Sequence, residues 1–301
     1  MTDRAAAVTE TFNRRLLIPR TPEQLVVRWN RRIITGKGVR LAVRDSGGDA
    51  PPMVLIHGLG TPQRSWDSVA RLLEPTFRVI TFDLRGHGRS TDSQDHSIDT
   101  YVEDVLTVLD ATDVRRPILV GHSLGALLAL ESGAGRDCRA VVAVDGGLPL
   151  VRPAEAKDRH AFDSEMRRPH VRFLMAVSAL FGMGVGLSPD QMWQVIQETE
   201  DREQALNAVY ARLHCPSLQV LAERADPSPW GEEMRAAAKT AADRFHQAHP
   251  HVGQVWLDSG HAIPLEQPRQ LAEQIVTFGT STGSCSSPSA PDAGLPGDDP
   301  S

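Results

Sequence analysis

The residues with the clearest chemical potential form the pentapeptide Gly121-His122-Ser123-Leu124-Gly125. It directly follows an apolar run at residues 118–120 and directly precedes an apolar helical pattern, so Ser123 is predicted to lie on a sharp turn between a strand and a helix. Such a turn strains the backbone at the serine, and the two glycines relieve the crowding around it. The helix that starts at Leu124 would offer a free N–H and positive dipole character to a developing oxyanion. Ser123 is therefore the predicted nucleophile.

A serine hydroxyl is a weak nucleophile until a base removes its proton, and histidine is the usual base. Of the eleven histidines, His261 stands in the segment Leu257-Asp258-Ser259-Gly260-His261, in a loop just after the last predicted strand. That position agrees with the chain order serine, acid, histidine. His261 is therefore the predicted general base.

Short apolar runs that alternate with helical patterns must position these groups. The runs cover residues 33–35, 39–43, 53–56, 79–82, 118–120, 141–144, 218–221 and 255–257. The first two flank Gly36-Lys37-Gly38 and predict a β-hairpin. Most of the others are continuously apolar, which is typical of parallel strands covered on both faces. With Ser97 as the N-cap of one intervening helix, the pattern predicts an α/β fold with a mostly parallel, doubly wound sheet.

The predicted organisation has a core interrupted by one long insertion. The core covers residues 32–147 and 217–278, between an arginine-rich N-terminal arm (1–31) and a disordered tail (279–301) that contains one leucine and no aromatic residue. The insertion, residues 148–216, holds four of the seven methionines. We predict that it is a helical lid over a substrate pocket, since long insertions usually carry function; the alternative is an ordinary helical pair packed on the sheet. Its candidate substrate-binding residues are Phe173, Met175, Phe181 and Trp193.

Composition excludes several other classes of protein. The formal net charge of −6 provides no basic surface for nucleic acid, and no apolar run approaches the roughly 18 residues of a membrane span. Three scattered cysteines favour a reducing compartment, so we expect a cytoplasmic protein whose partner is a small-molecule substrate. No dinucleotide-binding, phosphate-loop or HExxH motif is present, and therefore no cofactor or metal is predicted. The oligomeric state does not follow from these features.

Four motifs in this order resemble the α/β-hydrolase superfamily, in its lidded serine-esterase-like branch. They are His57-Gly58-Leu59-Gly60, the segment from Asp83 to Ser90, the pentapeptide around Ser123, and Ser259-Gly260-His261 with the following Glu266-Gln267-Pro268. The resemblance covers residues 32–278. It implies that the backbone N–H of Leu59 joins that of Leu124 in an oxyanion hole.

The same resemblance places the acid of a catalytic triad after the penultimate strand. In Leu221-Ala222-Glu223-Arg224-Ala225-Asp226, Ala222 stands where glycine is usual in the family and Asp226 is displaced by one residue. We predict Asp226 as the acid. Asp145, after the earlier strand at residues 141–144, is the alternative because some relatives draw their acid from there, and Glu223 is the third candidate.

The implied chemistry is acyl transfer to water. An apolar lid suggests a small or medium, partly hydrophobic ester, lactone or thioester. A serine nucleophile disfavours the dehalogenase and epoxide hydrolase chemistry of relatives that attack through a carboxylate. Carbon–carbon bond hydrolysis, perhydrolysis, and a non-hydrolytic role as a ligand receptor or biosynthetic helper remain alternatives on the same fold.

Overall fold

One sheet runs through the part of the chain that the structure describes. The computed structural model describes residues 29–151, 158–169, 184–225 and 231–282. The strands β1 to β8 are Asn30–Gly36, Val39–Asp45, Pro52–Ile56, Arg78–Phe82, Ile118–His122, Ala140–Val144, Ser217–Ala222 and Gly253–Leu257. Their order across the sheet is β1-β2-β4-β3-β5-β6-β7-β8. Only β2 runs antiparallel to its neighbours, β1 and β4, so the predicted mostly parallel α/β sheet is confirmed.

The strands that precede the site are buried, as their continuous apolar runs predict. Every residue of β5 and β6 is buried. The predicted hairpin is also present: β1 and β2 pair from Gly36 opposite Val39 outward. Lys37 and Gly38 form its two-residue turn with φ values of 51° and 77°, the left-handed pair that suits the twist of the flanking strands.

Helices cover both faces of the sheet. In the described ranges, α1 to α9 are Asp67–Leu73, Ile98–Ala111, Leu124–Gly133, Arg159–Arg167, Pro189–Gln204, Leu206–Ala211, Gly231–Ala248, Ile263–Glu266 and Pro268–Ser281, and a 3-10 helix, Gln63–Trp66, precedes α1. Helices α1 and α9 share an apolar cluster with one face of the central strands. Helices α2, α3, α5, α6 and α7 contribute to the cluster on the other face. The catalytic candidates therefore stand on a sheet packed from both sides.

Helix starts follow local capping chemistry. The Ser97 side chain accepts a hydrogen bond from the Thr100 N–H and caps α2, as predicted. At α5, the side chain of Ser188 accepts from the Gln191 N–H while the Gln191 side chain accepts from the Ser188 N–H, which makes a reciprocal capping box. These caps fix where the two helices begin beside α3.

The segment predicted to be a lid is helical where the structure describes it. Helices α4, α5 and α6 lie within residues 148–216, and Val195 and Leu206 are fully buried in the main core cluster. Residues 152–157 and 170–183 lie outside the described residues, so a lid role for this segment stays a prediction. At the C-terminal end, α9 continues to Ser281 and buries Gly279 against Ile118 and Phe77. The predicted start of the tail at Gly279 is therefore too early.

Candidate active site

Ser123 lies at a strained turn between β5 and α3. Its backbone has φ 53° and ψ −120°, a region that costs a non-glycine residue free energy and is often found at functional sites. Its N–H donates to the carbonyl oxygen of Val144 at 2.9 Å, which ties the turn to the end of β6. The strain therefore persists because the neighbouring strand holds it.

The glycines of the pentapeptide are required by close backbone contact. A Cβ atom at Gly121 would lie 1.8 Å from the carbonyl oxygen of Gly125, and one at Gly125 would lie 2.3 Å from that of Ile56. Both atoms are backbone and cannot move aside. The predicted reason for small residues at 121 and 125 is thus visible in the packing.

His261 lies in the loop after β8 and is held at two points. Its Nδ1 is 2.6 Å from Oδ2 of Asp145. Its carbonyl oxygen accepts a hydrogen bond of 2.7 Å from Nε2–H of His122, whose ring centroid is 4.9 Å from that of His261. Because His122 directly precedes Ser123, this bond couples the position of the histidine loop to the turn that carries the serine.

The loop that carries His261 is also braced by Glu266. Its Oε2 accepts from the Gly260 N–H at 2.9 Å and from Nη2 of Arg224 at 2.6 Å. Gln267 donates from Nε2 to the carbonyl oxygen of Asp258 at 2.9 Å. Two side chains of the Glu266-Gln267-Pro268 motif therefore hold the segment just before the histidine.

Asp145 follows β6 in a second strained conformation, with φ 43°. Its N–H donates to the carbonyl oxygen of Val220 at 2.8 Å, and its Oδ1 accepts from the Ala222 N–H at 3.0 Å. Burial acts to raise the pKa of Asp145, but the hydrogen bond and charge of His261, together with the Ala222 N–H, outweigh it and leave the pKa below its ordinary value. Asp145 is thus stabilised as a carboxylate directed at Nδ1 of His261.

The structure thus brings Asp145, the alternative acid of the sequence analysis, to the histidine. Asp226, the preferred acid, lies outside the described residues. Glu223, the third candidate, is exposed, and its described contacts are backbone ones: its N–H donates to Leu257 and its carbonyl oxygen accepts from Arg235. The contact at Nδ1 is made by Asp145.

The loop after β3 lies against the serine. A Cβ atom at Gly58 would be 3.0 Å from Cβ of Ser123, which places Leu59 next to the turn. In the first turn of α3, the N–H of Leu124 has no acceptor within the helix. The backbone amides predicted for an oxyanion hole belong to Leu59 and Leu124, the residues that directly follow Gly58 and Ser123.

Two buried histidines hold this loop. His57 accepts the Leu84 N–H on Nε2 at 2.9 Å, and His87 accepts the Gly60 N–H on Nε2 at 3.1 Å. Their Nδ1 atoms lie 2.9 Å and 2.8 Å from the carbonyl oxygens of Gly58 and Arg85, so each ring is neutral with its proton on Nδ1. The loops after β3 and β4 thus fix each other.

The match to known families agrees with this geometry. Residues 53–274 match the profile of the alpha/beta hydrolase family, which is about three-quarters of the chain. This chain belongs to the alpha/beta hydrolase family. The α/β-hydrolase fold and the resemblance stated from the four motifs are thereby confirmed.

Individual relatives of this α/β-hydrolase match over shorter stretches. A 3-oxoadipate enol-lactonase from Acinetobacter baylyi is 35% identical over 102 residues, which are 34% of this chain and 38% of that protein. A bifunctional esterase/perhydrolase from Acinetobacter calcoaceticus is 38% identical over 96 residues, 31% and 35% of the two chains. The matches to curated relatives span only 28–48% of the relatives' own length. In structure, E-2-(acetamidomethylene)succinate hydrolase superposes with a TM-score of 0.65 at 21% identity and covers 83% of this chain and 98% of the other, which supports the fold alone.

Ser123, Asp145 and His261 of this α/β-hydrolase line one cavity of about 140 Å³. Of the predicted substrate-binding residues, Phe173, Met175 and Phe181 lie outside the described residues. Trp193 packs against Phe162, with ring centroids 5.2 Å apart, and is not among the described residues that line this cavity. The described part of the insertion contributes Leu148 and Leu150, together with the polar residues Thr199 and Glu203 of α5, none of which the sequence pattern singled out.

The described residues of the α/β-hydrolase contain neither a metal-binding cluster nor a membrane-spanning helix. No group of three or more His, Cys, Asp or Glu side chains among them could hold a metal ion. None of the described helices has the length and hydrophobicity needed to cross a bilayer.

Three buried histidines make the free energy of unfolding of this α/β-hydrolase depend on pH. Burial lowers the pKa of His57 and His122 to about 4 and that of His87 to about 3, from 6.5 in the unfolded chain. Between pH 6.5 and 4 the unfolded state therefore binds more protons, and stability is lost as the pH falls through this window. Near pH 5 we expect the free energy of unfolding to drop by about 4 kcal/mol per pH unit, from about 1.4 kcal/mol for each of three protons.

Urea unfolding followed by circular dichroism at pH 7, 6 and 5 measures this slope. The control is His246→Gln, since His246 is exposed on α7, and the slope should not change in this variant. If the free energy of unfolding falls by less than about 1.4 kcal/mol per pH unit, the value for one proton, the three rings are not held neutral.

Proposed function

We propose that this α/β-hydrolase cleaves small or medium, partly apolar carboxylic esters, lactones or thioesters through an acyl-enzyme. Ser123 is the nucleophile, His261 the general base and Asp145 the acid. The observation that carries the proposal is the 2.6 Å contact of the Asp145 carboxylate with Nδ1 of His261, beside a serine in a strained turn. A serine, a histidine and a partly buried carboxylate in these roles form the catalytic triad of acyl transfer.

The reaction has two halves. Oγ of Ser123 attacks the carbonyl carbon while Nε2 of His261 takes the hydroxyl proton, and the amides of Leu59 and Leu124 stabilise the oxyanion. The intermediate collapses, the bond to the leaving group breaks, and His261 returns the proton to that group. Water, deprotonated by His261, then attacks the acyl-enzyme and releases the carboxylic acid and the serine.

Asp145 acts through the histidine. Its carboxylate keeps the Nδ1 proton of His261 in place, so that the unprotonated Nε2 takes the proton of Ser123, and it stabilises the imidazolium that forms. The hydrogen bond from Ala222 to the other carboxylate oxygen fixes the orientation of the acid.

The substrate class is supported by partial relatives and by the cavity. Two partial relatives are named as an enol-lactonase and as an esterase/perhydrolase. Leu148, Leu221 and Trp256 give the cavity an apolar part that suits a hydrocarbon chain. We place the reaction in the cytoplasm, in keeping with free thiols at both described cysteines, Cys138 and Cys215.

A fluorophosphonate probe tests the proposal, because it reacts only with an activated serine. Native protein should take up one label and release nitrophenol steadily from 4-nitrophenyl acetate, and Ser123→Ala should do neither. The matched control is Ser164→Ala, at an exposed serine of α4, which should behave as native. Labelling that survives Ser123→Ala would refute the nucleophile, and ester binding without nitrophenol release would indicate a receptor.

A further inference from the structure

Arg235 lines the cavity that holds Ser123 and His261, but the proposed reaction gives it no role. It lies near the start of α7. Its Nε–H donates to the carbonyl oxygen of Glu223 at 2.5 Å, and its Cζ lies 4.7 Å from the ring centroid of Trp256. A hydrogen bond from one edge and an aromatic ring against one face hold the guanidinium in a defined position.

One end of this guanidinium is buried without a partner. Nη1 of Arg235 is inaccessible to solvent and makes no hydrogen bond. Among the described residues, no carboxylate is found in a salt bridge with Arg235. A charged donor that is buried and unpaired destabilises the folded protein, and a ligand that accepts a hydrogen bond from it would remove this cost in free energy.

The other charged groups of the cavity have partners of their own. Arg224 pairs with Asp258 at 3.3 Å and with Glu266 at 2.6 Å. Asp145 is bonded to His261 and to the Ala222 N–H. Nη2 of Arg235 makes no hydrogen bond among the described residues either and, unlike Nη1, is not fully buried, so Arg235 is the cavity arginine that retains a reachable donor for a ligand.

We infer that the substrate carries a free carboxylate in addition to its ester group, and that Arg235 binds this carboxylate while Ser123 attacks the ester. This inference rests on the proposed function and narrows its substrate class. An arginine amino group forms short, charge-assisted hydrogen bonds with a carboxylate. The apolar lining between, which includes Leu148, Met234 and Ala238, suits a short hydrocarbon chain that joins the ester to the acid.

The test compares esters that differ only in this charge. The anionic probes are the mono-4-nitrophenyl esters of glutaric, adipic and pimelic acid. The neutral probes are the matching esters in which a methyl ketone replaces the free acid, so that a carbonyl acceptor remains and the charge is lost. For the best chain length, we expect native kcat/KM to be at least about tenfold higher for the anionic ester.

Arg235→Met should lower kcat/KM for the anionic ester by roughly 10- to 100-fold, because the loss of a hydrogen bond to a charged group weakens binding by about that factor. The kcat/KM for the neutral ester should change by less than about threefold. Arg235→Lys should keep most of the preference because it keeps the charge. The matched control is Lys239→Met, which removes an exposed cation from the same helix and should change neither ester.

Fluorophosphonate labelling of Ser123 verifies that each variant is folded and active. Inhibition of neutral-ester hydrolysis by hexanoate, compared with the neutral hexanamide, detects the same subsite if the acid belongs to the leaving group. The inference is overturned if Arg235→Met lowers kcat/KM equally for the anionic and the neutral ester. It is also overturned if native protein neither hydrolyses the anionic ester faster nor binds the anionic inhibitor more tightly than the neutral counterpart. Hydrolysis of the neutral ester that depends on Ser123 would leave the proposed function standing, whereas turnover by Ser123→Ala would remove it.

Discussion

Asp145→Asn should lower kcat for 4-nitrophenyl acetate by about 10⁴-fold, while Asp226→Asn should keep it within about threefold of native. An asparagine at 145 can still accept the Ala222 N–H on its carbonyl oxygen. Its amide would then face Nδ1 of His261 as a donor, where the carboxylate was an acceptor. The ring would be driven to carry its proton on Nε2, where it cannot take the proton of Ser123.

The two variants form a paired experiment because both residues occupy the stretch between serine and histidine along the chain. Steady-state kinetics of purified variants with matched melting temperatures measures the effect. The reverse result, with Asp226→Asn crippled and Asp145→Asn near native, would move the acid to the loop after β7.

His261→Ala should lower kcat by about 10⁶-fold, as Ser123→Ala should, and the double variant should lose no more than either single one. The losses do not add, because the base has no function without the nucleophile that it activates. The measurement is initial rates of ester hydrolysis at pH 8, corrected for the spontaneous reaction. His246→Ala removes an exposed histidine of α7 and serves as the control.

A His261→Ala variant that keeps most of the native rate would show that another histidine is the base. Additional loss in the double variant would show that the two residues contribute independently and do not form one catalytic unit.

The predictions that agree with the structure concern local relations in the sequence. The turn at Ser123 is encoded within the strand, pentapeptide and helix that surround it, and the cap at Ser97 lies three residues from its partner Thr100. Continuous apolar runs were sufficient to predict buried parallel strands. Chain order also singled out His261, which the structure brings into contact with Asp145.

The choice between acids depends on information that chain order does not contain. Asp226 and Asp145 both precede His261 in sequence, but β6 is the direct neighbour of β5 in the sheet and pairs Val144 with His122. This register brings Asp145 beside the serine turn. The bond between His87 and Gly60 and the position of Arg235 against Trp256 likewise depend on how separate elements pack.

A triad acid directly after β6 also has an evolutionary consequence. The proposed nucleophile and acid directly follow adjacent strands, and the backbone hydrogen bond from Ser123 to Val144 sets their spacing. With Asp145 as the acid, the connection between β7 and α7 supplies no residue of the proposed triad. Its first residues are anchored by the N–H groups of Glu223 and Arg224, which donate to the carbonyl oxygens of Leu257 and Ser259, while changes to the sequence from 226 to 230 replace no member of the proposed triad. In this lineage that connection is a natural place for new substrate preferences to arise, and the corresponding place for a protein engineer to begin.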